Sequence, residues 1–343
     1  MAYTTIDDPS AHFQVATWSG NNSNQAITND GNSDLQPDLV WIKARNESSD
    51  HALLDSTRGL TKRLHSNTND QETNDSSATM SSFDSDGFTM TQYNVANDSD
   101  DTGVAWQWKA NGGTTSSNST GDITTTVQAN TTAGFSIVTW TSAGSTNVGH
   151  GLGVAPNFII MKALNASSEN WLVGSDEIVW TKRIRLNLDS ASATSSAFGQ
   201  APTSSIFYCS PASSSYNYVA YCFAEKQGYS KFGEYTGNGN ADGPFVYTGF
   251  KPAWTMIKEI PNAGSWYIND NKRDTFNLVD QTVYADLSNA EATESNNSMD
   301  YLSNGFKLRG TGNDTNLDDS TYIYMAFAEH PFVSSEGVPT TAR

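Results

Sequence analysis

One short string occurs three times in this chain, and that recurrence limits what it can fold into more than any other feature. QPDLVWIKARN from Gln36, APNFIIMKALN from Ala155 and KPAWTMIKEIPN from Lys251 each place a Pro six residues before a Lys, with mostly apolar residues between. The anchors are Pro37 and Lys43, Pro156 and Lys162, Pro252 and Lys258, with lysines 119 and 96 residues apart. Self-similarity at such a period is the signature of a repeated unit, here of about 100 residues. Other blocks keep the same order around the anchor. FQVATWSGN with Trp18 matches FSIVTWTSAG with Trp140 and SKFGEYTGNG with Tyr235 upstream; TGVAWQWKA, NYVAYCFAE and TYIYMAFAE match downstream. A weaker block, DGF at Phe88, SIF at Phe207 and NGF at Phe306, falls between.

Apolar residues within these blocks alternate or run together over five to eight positions, the strand pattern rather than a helical stripe. Val104, Trp106 and Trp108 alternate, as do Val219, Tyr221 and Phe223, and Ile323, Met325 and Phe327. DLVWIK is nearly continuous, as a strand covered on both faces should be. The expected fold is all-β: three diverged antiparallel β-sandwich units, jelly-roll-like, each of about 100 residues. The first spans 1–110, a Gly/Ser/Thr-rich linker with at most one strand spans 111–131, the second unit spans 132–227 and the third, with a C-terminal tail, 228–343. The direct join at Gly228 predicts a tighter junction between units two and three than either makes with unit one. Helix should be scarce, the best stretch being Thr61 to His65.

Composition narrows the function classes. A formal charge of −18 repels nucleic-acid phosphates, which excludes nucleic acid as the expected partner. No apolar run approaches the ~20 residues a membrane-spanning helix needs, and MAYTTIDDPS has neither the basic nor the apolar region of a secretory signal. Cys209 and Cys222 are too few for a disulfide framework; they could bridge if they lie on neighbouring strands, but in a reducing compartment a buried free Cys acts as a small hydrophobe.

Candidate chemistry is sparse. His12, His51, His65, His150 and His330 show no metal-ligand spacing, and His150, in GHGLG, reads as structural. Neither G-x-S-x-G nor a phosphate-binding loop occurs. Asp30, Asn32 and Asp34, and again Asp314, Asn316 and Asp318, form D-x-N-x-D runs that could hold Ca²⁺. Trp41 and Met325 stand where an EF-hand loop needs its closing acid, which favours solvated Asx turns, and no other cofactor is expected. Trp171, Trp180 and Trp266 lie near turn-like sequence and are candidate glycan platforms, flat apolar faces beside polar groups. The D-x-x-R of Asp55 and Arg58 returns as Asp270 and Arg273, a candidate structural ion pair; in the middle unit it becomes Asp176 and Val179.

TIDDPSAHFQ, SDLQPDLVWIKAR, LLDSTRGLTKRLHSN, VAWQWKANGG, VGHGLGVAPNFIIMK, YSKFGEYTGNGNADGPFVYTGFKPAW and YIYMAFAEHPFVSSEGVPTTAR together resemble a repeat family of marine tailed phages, encoded among tail and virion genes. The resemblance covers nearly the whole chain. It implies a β-rich phage structural protein, tail-fibre-like or of uncharacterised role, and no known ligand or catalytic residues; the expectation is a non-enzymatic protein assembled in the host cytoplasm and displayed on the tail or capsid surface. The expected partners are other virion proteins, a host surface glycan and further copies in a homo-oligomer, with no membrane insertion. Two alternatives stand beside it: a capsid decoration protein that stabilises the head, and a polysaccharide depolymerase using a carboxylate pair.

Overall fold

A computed structural model describes residues 2–74, 79–92, 96–210 and 214–341, so the last two residues of the terminal match lie outside it. The chain is all-β. Three large antiparallel sheets place four strands in the same order. In the first, Phe13–Ser19 pairs with Thr102–Trp108, which pairs with Leu39–Ala44, which pairs with Ala52–Asp55. The corresponding order in the second is Phe135–Thr141, Asn217–Phe223, Phe158–Ala163, Leu172–Ser175. In the third it is Ser230–Thr236, Thr321–Pro331, Phe250–Glu259, Tyr267–Asp270. The Pro-to-Lys strings thus occupy the same strand position in each sheet.

Each large sheet carries a small one on its outer face, of two or three strands: Gln25–Ile27, Gly87–Met90 and Met80–Asp84; Thr146–Gly149 and Ile206–Cys209; Phe245–Tyr247, Gly305–Leu308 and Met299–Leu302. The layering is sandwich-like, but a large sheet under a small one is not the pair of equal sheets of a jelly roll. Alternation explains the near-continuous apolar strings. Leu39 and Trp41 face inward while Val40 and Ile42 face the small sheet, so every position of that strand is covered.

The inner faces of all three sheets meet in one apolar core. At its centre Trp108, Phe223 and Phe327, the third residues of the three alternating triads, touch one another. Their ring centroids lie 6.3 Å (Trp108–Phe223), 5.7 Å (Trp108–Phe327) and 6.0 Å (Phe223–Phe327) apart. Corresponding positions of the three sheets therefore meet at one point of the core.

Local expectations fare unevenly. Residues 111–131 are not a free linker: Ser116–Asn118 and Thr125–Asn130 add two strands to the second sheet. Thr125 and Val127 alternate inward, and the Gln128 amide donates to the hydroxyls of Ser56 and Thr57 at 2.9 and 2.8 Å. Thr61 to His65 is not helical. Lys62–Arg63 pairs with Thr73–Asn74, and Leu64 bridges Leu53 to enter the shared core. The helix present is the single turn Asn313–Asn316, with three short 3₁₀ turns elsewhere among the described residues. No described helix is long and apolar enough to cross a membrane.

Candidate functional site

The three junctions between sheets exchange the same hydrogen bonds in a cycle. Main-chain N–H groups of Glu72, Ser192 and Glu291 donate to the carbonyls of Leu164, Ile260 and Arg45, each two residues past a string lysine, at 2.8, 2.9 and 2.6 Å. One step away, Trp171 donates its indole N–H to His65 O at 2.8 Å and Trp266 to Arg185 O at 2.9 Å. In the first unit His51 stands at that position. Trp41 donates to His51 Nδ1 at 2.8 Å, which puts the ring proton on Nε2, 2.9 Å from Tyr284 O. Because the cycle joins every neighbouring pair, the direct connection at Gly228 does not set units two and three apart.

The repeated lysines line the same seams. Lys43, Lys162 and Lys258 are buried and donate to the carbonyls of Ala44, Ala163 and Glu259 at 2.7, 2.9 and 2.7 Å. Lys258 also reaches Asp189 O of the preceding unit at 3.1 Å. Burial pulls all three ammonium groups down to about 8.

Both D-x-x-R pairs are buried ion pairs, at 2.5 Å for Arg58 with Asp55 and 2.6 Å for Arg273 with Asp270. All five guanidinium N–H groups of Arg58 find acceptors: Asp55, Lys62 O, Glu72, Leu53 O and the Tyr221 hydroxyl. Burial opposes the Arg58 charge, but Asp55, Tyr221 and Glu72 outweigh it and raise its pKa. Arg273 repeats the pattern with Asp270, Glu291 and Ile268 O, and lies 5.8 Å over the ring of Trp106.

The predicted ligand residues do not assemble into sites. Trp171, Trp180 and Trp266 are buried, so they are not sugar platforms; apolar contact drives the indoles into the cores and their N–H groups satisfy His65 O, Asp176 and Arg185 O. Asp30, Asn32 and Asp34 lie on an exposed loop where Asp30 pairs with Lys272 at 2.6 Å. Asn316 is buried with its amide donating to Asn240 O and Gly310 O at 2.8 Å each, while Asp318 is exposed. Neither run converges as a calcium loop does, and among the described residues no three His, Cys, Asp or Glu side chains gather into a metal-binding group. His150 is buried, accepting from Leu152 N at 3.2 Å and lying 3.1 Å from Thr203 O. Cys209 and Cys222 are both buried and free.

Two clefts open instead beside the D-x-x-R turns. The larger, about 430 Å³, lies between the first and second units. Its wall is a ladder of hydroxyls on one sheet face: Thr126 pairs with Thr139, and Thr141, opposite Asn217, donates to that amide oxygen at 2.8 Å. Thr57, Lys62 and Glu72 face the ladder, with Arg58 and Lys62 both paired to Glu72. The other cleft, about 280 Å³, lies between the third and first units, with an apolar floor including Val15 and Ala253 and a rim including the Asp30–Lys272 pair. Such walls can hydrogen-bond a polar surface. TTTV and TWT carried this signal as alternating Thr, but sequence alone does not say which neighbour stands opposite.

No curated protein and no solved structure matches the chain. The family described as Domain of unknown function (DUF7483) matches residues 8–331, nearly its whole length, and the chain belongs to that family.

Proposed function

We propose that this chain is a structural component of a tailed-phage particle, a tail-fibre-like surface protein that acts by binding and packing rather than by catalysis. The observation that carries the reading is the cyclic interlock. At every junction, buried Lys, Trp or His and main-chain groups are committed to holding one sheet against the next, which suits a rigid body displayed on an assembly. The common strand order and the triad of Trp108, Phe223 and Phe327 support three copies of one ancestral unit. The sequence resemblance supports a virion setting, with neighbouring virion proteins, further copies of the chain and a host surface glycan as partners. The hydroxyl-lined cleft offers a polar contact surface of the kind such partners use.

Antibody labelling of purified particles, read by electron microscopy, tests this. Label on the tail or its fibres is the expected result. Label on the head alone would shift the assignment to capsid decoration, and particles without the chain would overturn it.

A further inference from the structure

The outer face of the third unit differs from the other two. In its small sheet the inward residues Val246, Phe306, Leu308, Met299 and Tyr301 fill a core. Two of the outward ones are large aromatics that stay exposed: Phe245 is 44% exposed and Tyr247 52%. Register sets Phe245 beside Lys307 and Asp300, and Tyr247 beside Gly305 and Leu302. The segment around Asn277 extends this sheet. Val279 bridges Met299, and the Asn277 amide donates to Tyr301 O at 3.1 Å and accepts from Tyr301 N at 2.9 Å. That places Phe276, 77% exposed, and Leu278, 47% exposed, along the far edge.

Gly305 lets its strand lie close to the next, since a Cβ there would lie 2.0 Å from Val246 O, as one at Gly87 would from Ile27 O in the first unit, and it adds no side chain between Tyr247 and Leu302. At the corresponding positions the first unit turns out Ala26 and Thr89, and the second Asn147 and Tyr208. A contiguous exposed apolar patch on a polar chain marks a contact site. Charged groups share the face beside it: Lys307 pairs with Asp242 at 2.8 Å and Arg309 with Asp300 at 2.5 Å.

We infer that this face binds a neutral glycan, stacking pyranose C–H faces on Phe245, Tyr247 and Phe276 while sugar hydroxyls meet Lys307 and Arg309. Two arguments select that occupant. Strands ~4.8 Å apart and alternate residues ~7 Å apart give a footprint of roughly 300 Å². A stable protein contact buries about 800 Å² per partner, so the face is too small for one yet fits two or three sugar rings. A second copy would also bring another −18 charges against this one. The inference rests on the reading of the chain as a surface component and names what it touches.

The test is affinity electrophoresis of the full chain through gels containing dextran, laminarin, mannan or galactomannan, with the double variant Tyr247→Ser, Phe276→Ser alongside. The expected result is retardation by at least one polysaccharide, with at least a tenfold weaker apparent Kd for the double variant and no change for Ala26→Ser on the first unit's small sheet. Both replaced side chains are exposed, and unchanged far-ultraviolet circular dichroism checks that the variant is folded. No retardation in any gel, or retardation that the double variant keeps, overturns the inference. So does a dimer in sedimentation velocity that Phe276→Ser abolishes, which makes a second copy the occupant. A chain found on particles but indifferent to these glycans sinks this inference alone; a glycan binder absent from particles sinks the virion reading alone.

Discussion

Tyr221 of the second sheet donates its hydroxyl proton to Asp55 of the first at 2.8 Å. Trp106 of the first sheet makes the equivalent bond to Asp270 of the third at 3.0 Å, so the same link closes two junctions of the ring. At the remaining junction both halves have changed. Met325 occupies the donor position, Val179 replaces the arginine, and Asp176 turns to partners in its own unit, Trp180 and Asn157, at 2.8 Å each. With no donor arriving from Met325, a buried Asp–Arg pair there would have lost a stabilising partner, which gives the paired departures one physical origin.

Removing one donor tests that link. Tyr221→Phe leaves an oxygen of Asp55 short of a partner and should lower unfolding free energy by about 1.5–3 kcal/mol in urea titration, hydrogen bonds to charged groups being worth that much. Trp106→Phe should do likewise at Asp270, with the two losses nearly additive because the sites are at different junctions. A loss below about 0.5 kcal/mol at both would show that the links are slack.

Acid should loosen the ring through His51. Burial first, then Lys43, lowers its folded-state pKa to about 3 against 6.5 for the ordinary imidazole. The unfolded chain therefore binds the proton first, so stability is fully present above pH 6.5 and falls as pH drops toward 3. Tm measured from pH 7 to 5 should fall, and His51→Gln should flatten that slope while costing stability at pH 7.

The alkaline limb follows from the three lysines. Their folded-state pKa values near 8, below the usual 10.5, mean that the native form gives up protons while the unfolded form keeps them. Stability should rise between pH 8 and 10. Above 10 it should fall, because burial holds the Tyr229 and Tyr301 hydroxyls protonated in the native form after unfolded tyrosines ionise. A Tm maximum at or below pH 7 would contradict this.

Val179 adopts φ +54°, the left-handed region that a β-branched residue tolerates poorly, and it is exposed. Val179→Gly should raise unfolding free energy by about 1 kcal/mol, the low end of the cost of such strain. Denaturant midpoints of the two proteins check it.

Both thiols should be silent in the native protein. Burial pushes Cys209 up to about 12 and Cys222 higher still, so neither presents a thiolate at neutral pH. A chromogenic disulfide reagent should titrate no thiol in buffer and two per chain in guanidinium chloride.

Much of the architecture was legible in the sequence because strand periodicity is local. Val104-Trp106-Trp108 and its two counterparts announced an inward face, and the D-x-x-R spacing announced an ion pair whose partners sit three residues apart. Tryptophan exposure was not legible. Trp171 and Trp266 stand beside turns, and it is the shared apolar core, with the carbonyls of His65 and Arg185 in a neighbouring unit accepting the indole N–H groups, that holds them inside. The platform residues Phe245, Tyr247 and Phe276 resemble core residues in sequence, since strand pattern gives two faces without saying which one water reaches.

Sequence by itself determined that the chain is all-β and that three segments play one role, because alternation and spacing depend on residues close along the chain. Tertiary structure alone decided that three sheets share a single core, that residues 111–131 join the second sheet, and which aromatic face stays outside. Those outcomes depend on how loops and sheet edges from distant segments meet, and neighbour order in the chain carries no record of that meeting.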